Sequence, residues 1–192
     1  MEASPASSSV APLFDDDTPA SFAGPAPVMP ASNAAQALTS VHTAFGRLQQ
    51  IRADEHEIAL AFANDPASFN AILRTLQAAG EPRHLLSAVS NTLIDGEDFG
   101  WLWNVDFESV VLGLDRVTVS GLRADELATR LKYAGVDPKQ MVVVEDQQAA
   151  LDEALAAAPP GQRLCVISGY SPTIQFHELM RRRGWVDSCW KQ

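Results

Sequence analysis

The chain has 192 residues, 46% of them hydrophobic, and a formal net charge of -10 at pH 7. That size and apolar content suit one packed domain with a tail and exclude wholesale disorder. The negative charge disfavours nonspecific binding to nucleic acid or anionic membrane, and no apolar run approaches the roughly 20 residues that span a bilayer. Cys165 and Cys189 are too few for a disulfide framework or a four-thiolate zinc site. With an acidic N-terminus that lacks an apolar signal core, the expected compartment is the cytoplasm.

Residues 1–32 are rich in Ala, Pro and Ser and carry the acidic cluster Asp15, Asp16 and Asp17. Such a segment buries too little apolar surface to offset its ordering entropy and reads as a disordered tail. Ala34 to Phe45 has the texture of a short helix ending at Gly46. RLQQIRADEHEIALAFA then predicts two short strands around a turn at Ala53-Asp54-Glu55, with alternating apolar positions at Ile58, Leu60 and Phe62. Asp65 and Pro66 mark a helix start, Phe69, Ile72, Leu73 and Leu76 keep helical spacing, and Gly80 is its stop.

LLSAVS at 85–90 predicts a buried strand, and NTLIDGEDFG a polar loop that runs into WLWNVDFESVV. VTVSG at 117–121 is a strand, and Ala124, Leu127, Ala128 and Leu131 form a helix stripe closed by Gly135. MVVVE at 141–145 is continuously apolar, as a parallel strand buried on both faces would be. Leu151, Leu155 and Ala158 mark the next helix, stopped by Pro159-Pro160-Gly161. LCVIS at 164–168 is the third such strand, with Cys165 as a buried spacer. Ser171 and Pro172 open a helix that carries Ile174, Phe176, Leu179 and Met180 and ends at Gly184, its last turn holding Arg181-Arg182-Arg183. There the three arginines complement the helix dipole. WVDSCW at 185–190 supplies a last edge strand. Strands and helices alternating with short connections predict an α/β fold, a Rossmann-like, mostly parallel sheet with helices on both faces. Ligands on such sheets sit at the carboxyl ends of the strands, here Ser120-Gly121, Glu145-Asp146 and Ser168-Gly169-Tyr170.

Ser120-Gly121-Leu122-Arg123 leads from a strand into a helix, either as an anion-binding helix N-terminus assisted by Arg123 or as a tight turn with a solvated arginine. The chain has no Gly-x-x-x-x-Gly-Lys-Ser/Thr phosphate loop, so tight ATP binding is not expected. His42, His56, His84 and His177 are scattered and read as surface or capping residues, without metal-ligand spacing, and neither cysteine has a nucleophile signature. The carboxylates Asp95, Glu97, Asp98, Asp106 and Glu108 surround two tryptophans. In a mobile loop, one of them could orient a histidine as the third member of a nucleophile–base–acid triad, or they belong to a solvated turn.

FGR at 45–47, NDPASFNAILRTL at 64–76, DGEDFGWLWNVDFE at 95–108, SGLRADELATRLKYAG at 120–135 and SGYSPT at 168–173 together resemble the MurT-type proteins, the Mur ligase relatives of lipid II isoglutaminyl synthase. The resemblance implies a Mur ligase C-terminal domain at 63–192, preceded at 33–62 by a remnant of the end of the central domain. It implies a role in amidating the D-glutamate of lipid II together with a GatD-like glutamine amidotransferase, or else a non-catalytic protein-binding module descended from that domain. ATP and magnesium would need the central domain, so no cofactor is expected in this chain. Trp101, Trp103 and Phe107 are the implied partner contacts. Asn104 stands where the resemblance places an Asp as the acid that completes the partner's triad, with Asp98 and Asp106 as fallback acids. An amide there still accepts a hydrogen bond, but loss of the charge in a comparable triad costs about 10⁴ in rate.

Overall fold

The computed structural model describes residues 48–92, 95 and 98–186. The expected tail at 1–32, the helix at 34–45 and most of the WVDSCW strand lie outside these residues.

RLQQIRADEHEIALAFA folds as β1 (Gln49–Ala53) and β2 (His56–Phe62), an antiparallel pair whose tight turn places Asp54 at φ 52°. β2 does more than the expected one-sided alternation. Ile58, Ala59, Leu60 and Ala61 are all buried, because β2 also pairs in parallel with β6 (Arg163–Ser168) and is covered on both faces. Between them in sequence come β3 (His84–Ala88), β4 (Arg116–Ser120) and β5 (Met141–Val143). The sheet order is β1-β2-β6-β3-β4-β5, with every pair but the first parallel. The segment expected as a central-domain remnant thus contributes two strands to the same sheet as the rest.

Helices α1 (Pro66–Ala78), α2 (Ala124–Tyr133), α3 (Gln147–Ala157) and α4 (Tyr170–Arg182) flank this sheet. Strand alternation divides the interior in two. Leu85, Cys165 and Ile167 face a core with Phe69 and Leu73 of α1 and Leu127 and Leu131 of α2. Leu86, Leu164 and Val166 face the other core, with Leu151 of α3 and Phe176 and Met180 of α4. This is the Rossmann-like sheet with helices on both faces.

Local chemistry sets the element ends. The Asp65 side chain accepts from the Ser68 N–H at 2.9 Å, the cap its position predicts, and Asp146 caps α3 through Ala149 N–H at 2.8 Å. α4 starts earlier than expected. Gly169 is its N-cap and Tyr170 its first residue, so Pro172 lies inside the first turn, where its missing N–H costs no hydrogen bond. β5 is shorter and more open than the expected buried strand at 141–145. As the last strand it has one neighbour, and Val143 is exposed. The expectation of surface histidines also fails in part. His84 and His177 are buried, His84 bonding Gln162 Oε1 through Nε2 at 2.8 Å and His177 losing basicity to desolvation. Arg181 and Arg182 bind Glu178, and Arg183 binds Asp152 at 2.6 Å, so the triple arginine is ion-paired within the fold.

Gly121 closes β4 against β3. Its φ is +91°, and a Cβ there would lie 2.3 Å from the Val89 carbonyl oxygen. Gly121→Ala is expected to lower unfolding stability by about 2 kcal/mol or more through left-handed strain and backbone displacement. A urea midpoint equal to that of the unchanged protein would contradict this packing.

Candidate functional site

After β3 the chain crosses the face that carries α1 and α2, while after β6 it enters α4 on the opposite face. Neighbouring strands that diverge in this way leave a crevice at their carboxyl ends. Asp95 lies in it. Its Oδ1 accepts from the Ser171 N–H at 2.8 Å and its Oδ2 from the Thr92 hydroxyl at 2.6 Å. The Thr92 and Ser171 hydroxyls lie 2.8 Å apart. The α4 N-terminus thus receives its negative partner from within the chain.

The tryptophan segment leaves this crevice as three short 3₁₀ turns, Gly100–Asn104, Phe107–Ser109 and Val111–Gly113, rather than as the mobile loop expected from its sequence. Side chains from two helices hold its backbone. From α1, Asn70 donates to the Asn104 carbonyl at 3.2 Å and accepts from the Asp106 N–H at 2.8 Å, and Gln77 donates to the Ser109 carbonyl at 2.9 Å. From α2, Arg130 donates to both Glu108 oxygens, at 2.9 and 2.8 Å, and to the Val105 carbonyl. Its guanidinium also lies 5.8 Å from the Trp103 ring centre and 5.5 Å from that of Phe107. Arg130 is only 5% exposed, so these acceptors and rings replace water around a buried charge.

Trp101 is half-buried between Phe69 and Phe99. Trp103 is 54% exposed and leans on Tyr133 of α2, itself 74% exposed, at a ring separation of 5.6 Å. Leu112, fully exposed, follows Val111, which packs at Gly135 beyond the end of α2. Phe107 corrects the expectation of a partner contact. It is fully buried, 5.6 Å from Phe69 in ring centres, and anchors the segment to the core. Tyr133 takes its place on the surface. The RLKYAG segment held that signal, since Arg130 and Tyr133 are three residues apart on one helix face.

Asn104, Asp98 and Asp106 are all exposed. Asp98 accepts from the Gly100 N–H at 2.9 Å, so its carboxylate turns back on its own backbone. Asn104 sits beside Trp103 on the open side of the segment. The structure does not build the anion site expected at Ser120, Gly121 and Arg123. Ser120 is buried and donates to the Glu145 carbonyl at 3.1 Å. The N–H groups of Leu122 and Arg123 go to Ser90 Oγ and the Val89 carbonyl, and Arg123 pairs with Glu126 beside the Phe99 ring. The donors a phosphate would need are engaged, and these residues do not fit a nucleotide phosphate. Cys165 is buried, and burial beside Glu81 pushes its thiol further up, away from any nucleophilic role. Among the described residues, no group of three or more His, Cys, Asp or Glu is placed to hold a metal ion, and no helix is long and apolar enough to cross a membrane.

A mostly parallel, Rossmann-like sheet with an antiparallel edge and helices on both faces is the fold of a Mur-ligase-type C-terminal domain. The chain belongs to the MurT ligase C-terminal family, whose model matches residues 62–172, more than half of its length. It is 35% identical over 94 residues to the MurT subunit of lipid II isoglutaminyl synthase (glutamine-hydrolyzing) from Staphylococcus aureus, covering 48% of this chain and 21% of that protein. It is 21% identical over 140 residues to the MurT subunit from Streptococcus pneumoniae, covering 72% of this chain and 31% of that one. The matched part therefore spans between a fifth and a third of these relatives. In fold it is similar to folylpolyglutamate synthase from Mycobacterium tuberculosis, with TM-score 0.51, 22% identity, and 76% of this chain and 34% of that one covered. It is likewise similar to MurF ligase from Thermotoga maritima, with TM-score 0.50, 15% identity, and 75% and 32% covered.

Glu108 yields a prediction about pH. The Arg130 hydrogen bonds hold its carboxyl below the ordinary glutamate value. A depressed native value stabilises the fold at neutral pH, and the contribution disappears as pH falls through the acid range. The stability gap between the unchanged protein and Glu108→Gln should therefore narrow from about pH 6 to about pH 3. A urea-midpoint difference constant across that range would contradict the pairing.

Proposed function

We propose that this chain acts as the MurT-like C-terminal part of an assembly in the cytoplasm that amidates the D-glutamate of lipid II, and that it docks a GatD-like glutamine amidotransferase. The observation that carries this reading is the exposed Trp103–Tyr133 pair on a backbone fixed from two sides. Aromatic rings held rigid in water lose little entropy on binding and anchor protein interfaces. The S. aureus and S. pneumoniae relatives bear the name of a subunit of a glutamine-hydrolysing synthase, which supports a second subunit as the occupant.

In this reading Trp101 supports the contact from behind, and Asn104 takes the position facing the partner's catalytic histidine. Its amide can accept a hydrogen bond from the imidazole but gives no charge to an imidazolium, so this chain orients the base without stabilising its protonated form. Asp98 and Asp106, on the same segment, are the acids left to serve in its place. In this reading ATP and magnesium would be held by a central domain, as the resemblance implies. Docking without any effect on glutamine hydrolysis would leave the binding-module reading in its place.

Titration of a GatD-like amidotransferase with the full chain tests the proposal. Trp103→Ala and Tyr133→Ala should each weaken binding by about tenfold or more, the scale of an interface anchor, with circular dichroism unchanged. Equal affinity of both variants and the unchanged chain, or no binding at all, would overturn it.

A further inference from the structure

We propose that two copies of this chain associate through the open edge of β5, the two strands pairing antiparallel about a twofold axis at Val142.

β5 ends the sheet on the side away from β1, and no strand lies beyond it among the described residues. The run Met141–Val144 is wholly apolar, yet none of its four side chains is buried, and Val143 is 42% exposed. Helix placement explains this. α3 packs over β3 and β4 rather than over β5, so Val142 and Val144 on its side stay half in water. Sheets commonly protect a free edge with a charge or a proline in the strand, and β5 has neither. Its nearest charged neighbours are Lys139 and Glu145. Both are exposed, and neither forms an ion pair among the described residues. An apolar edge flanked by two opposite, unpaired charges is complementary to itself when reversed, which points to a second copy as the occupant.

The backbone is free for such pairing. The Val144 N–H bonds the Val119 carbonyl at 2.9 Å, on the inner side of β5. Backbone groups alternate sides along a strand, so the Val143 N–H and the Met141 carbonyl point outward. In an antiparallel pair each Met141 carbonyl can then accept from the Val143 N–H of the other copy.

Register follows from symmetry. A twofold axis perpendicular to the sheet keeps each side chain on its own face, and directly opposite residues share a face. The residue on the axis therefore faces itself. With Val142 there, Met141 faces Val143 of the second copy, and both apolar pairs leave water together. Lys139 and Glu145 lie equally far from Val142 along the chain, so each end sets the lysine of one copy beside the glutamate of the other. With Val143 on the axis, Met141 would face Glu145 and Lys139 would face the buried Gln147, and both the apolar and the charge match would be lost. The Val142 register joins two six-stranded sheets into one. A three-residue strand contributes little area, so the dimer should be weak, with a dissociation constant of about 10–100 μM.

Sedimentation of the full chain from about 1 to 500 μM should therefore show a monomer–dimer equilibrium. Lys139→Glu and Glu145→Lys should each weaken it by about tenfold, and the double swap should restore it, because the two charges exchange places across the axis. Val142 is a non-hydrogen-bonded position, where opposite Cα atoms lie about 4.5 Å apart, within disulfide range. In a Cys189→Ser background, Val142→Cys should cross-link two copies under mild oxidation about tenfold faster than Val144→Cys, which shares its face but lies off the axis. Buried Cys165 does not compete. A monomer at every concentration would overturn the proposal and leave the edge to a strand of another protein. Equal cross-linking of the two cysteine variants, or a double swap as weak as the single variants, would count equally against it.

Discussion

Arg130 must be charged and nearly out of water at once, and the tryptophan segment is arranged around that constraint. Its guanidinium takes both oxygens of Glu108 and the Val105 carbonyl, and lies against Trp103 and Phe107. Each partner fixes a different part of the segment. Glu108 fixes its second turn, Val105 its backbone, Phe107 its buried side and Trp103 its exposed side. A buried cation left with fewer acceptors would cost several kcal/mol, so these contacts stand or fall together. Asn70 performs the matching task from α1 with one amide, donating to residue 104 and accepting from residue 106.

This clamp links the fold to the proposed function. α1 and α2 sit on one face of the sheet and are joined across it by the segment between β3 and β4. The sheet sets the spacing of the two helices, and the helices set the position of Trp103, Tyr133 and Asn104. The surface proposed for docking is thus tied to the core through two helices, which favours docking with little reorganisation. The carboxyl-end crevice works differently. Asp95, Thr92 and Ser171 satisfy one another there, and the α2 N-terminus is filled by Val89 and Ser90. The usual ligand position of such a sheet is occupied by the chain itself.

Periodicity and punctuation carried most of the fold. The stripe Ala124, Leu127, Ala128 and Leu131 is buried as its spacing predicts, and Asp65 caps the helix it precedes. What was not legible depended on neighbours distant in sequence. Nothing local in MVVVE says that β5 ends the sheet, and nothing local in LCVIS says that β6 inserts between β2 and β3. The site suffered most from this. Phe107 and Trp103 look alike as aromatic residues in a polar segment, and only packing against Phe69 separates the anchor from the exposed ring. The polar density of NTLIDGEDFGWLWNVDFE suggested a mobile loop because its hydrogen-bonding partners, Asn70, Gln77 and Arg130, lie on other elements.

Amide hydrogen exchange over residues 100–110 tests the clamp directly. The Asp106 N–H, bonded to Asn70 Oδ1 at 2.8 Å, and the Leu102, Val105 and Val110 N–H groups, bonded within the segment, should exchange far more slowly than an unstructured chain. Exchange of these amides at the unstructured rate, while the strands stay protected, would contradict a fixed tryptophan segment and with it the preformed docking surface.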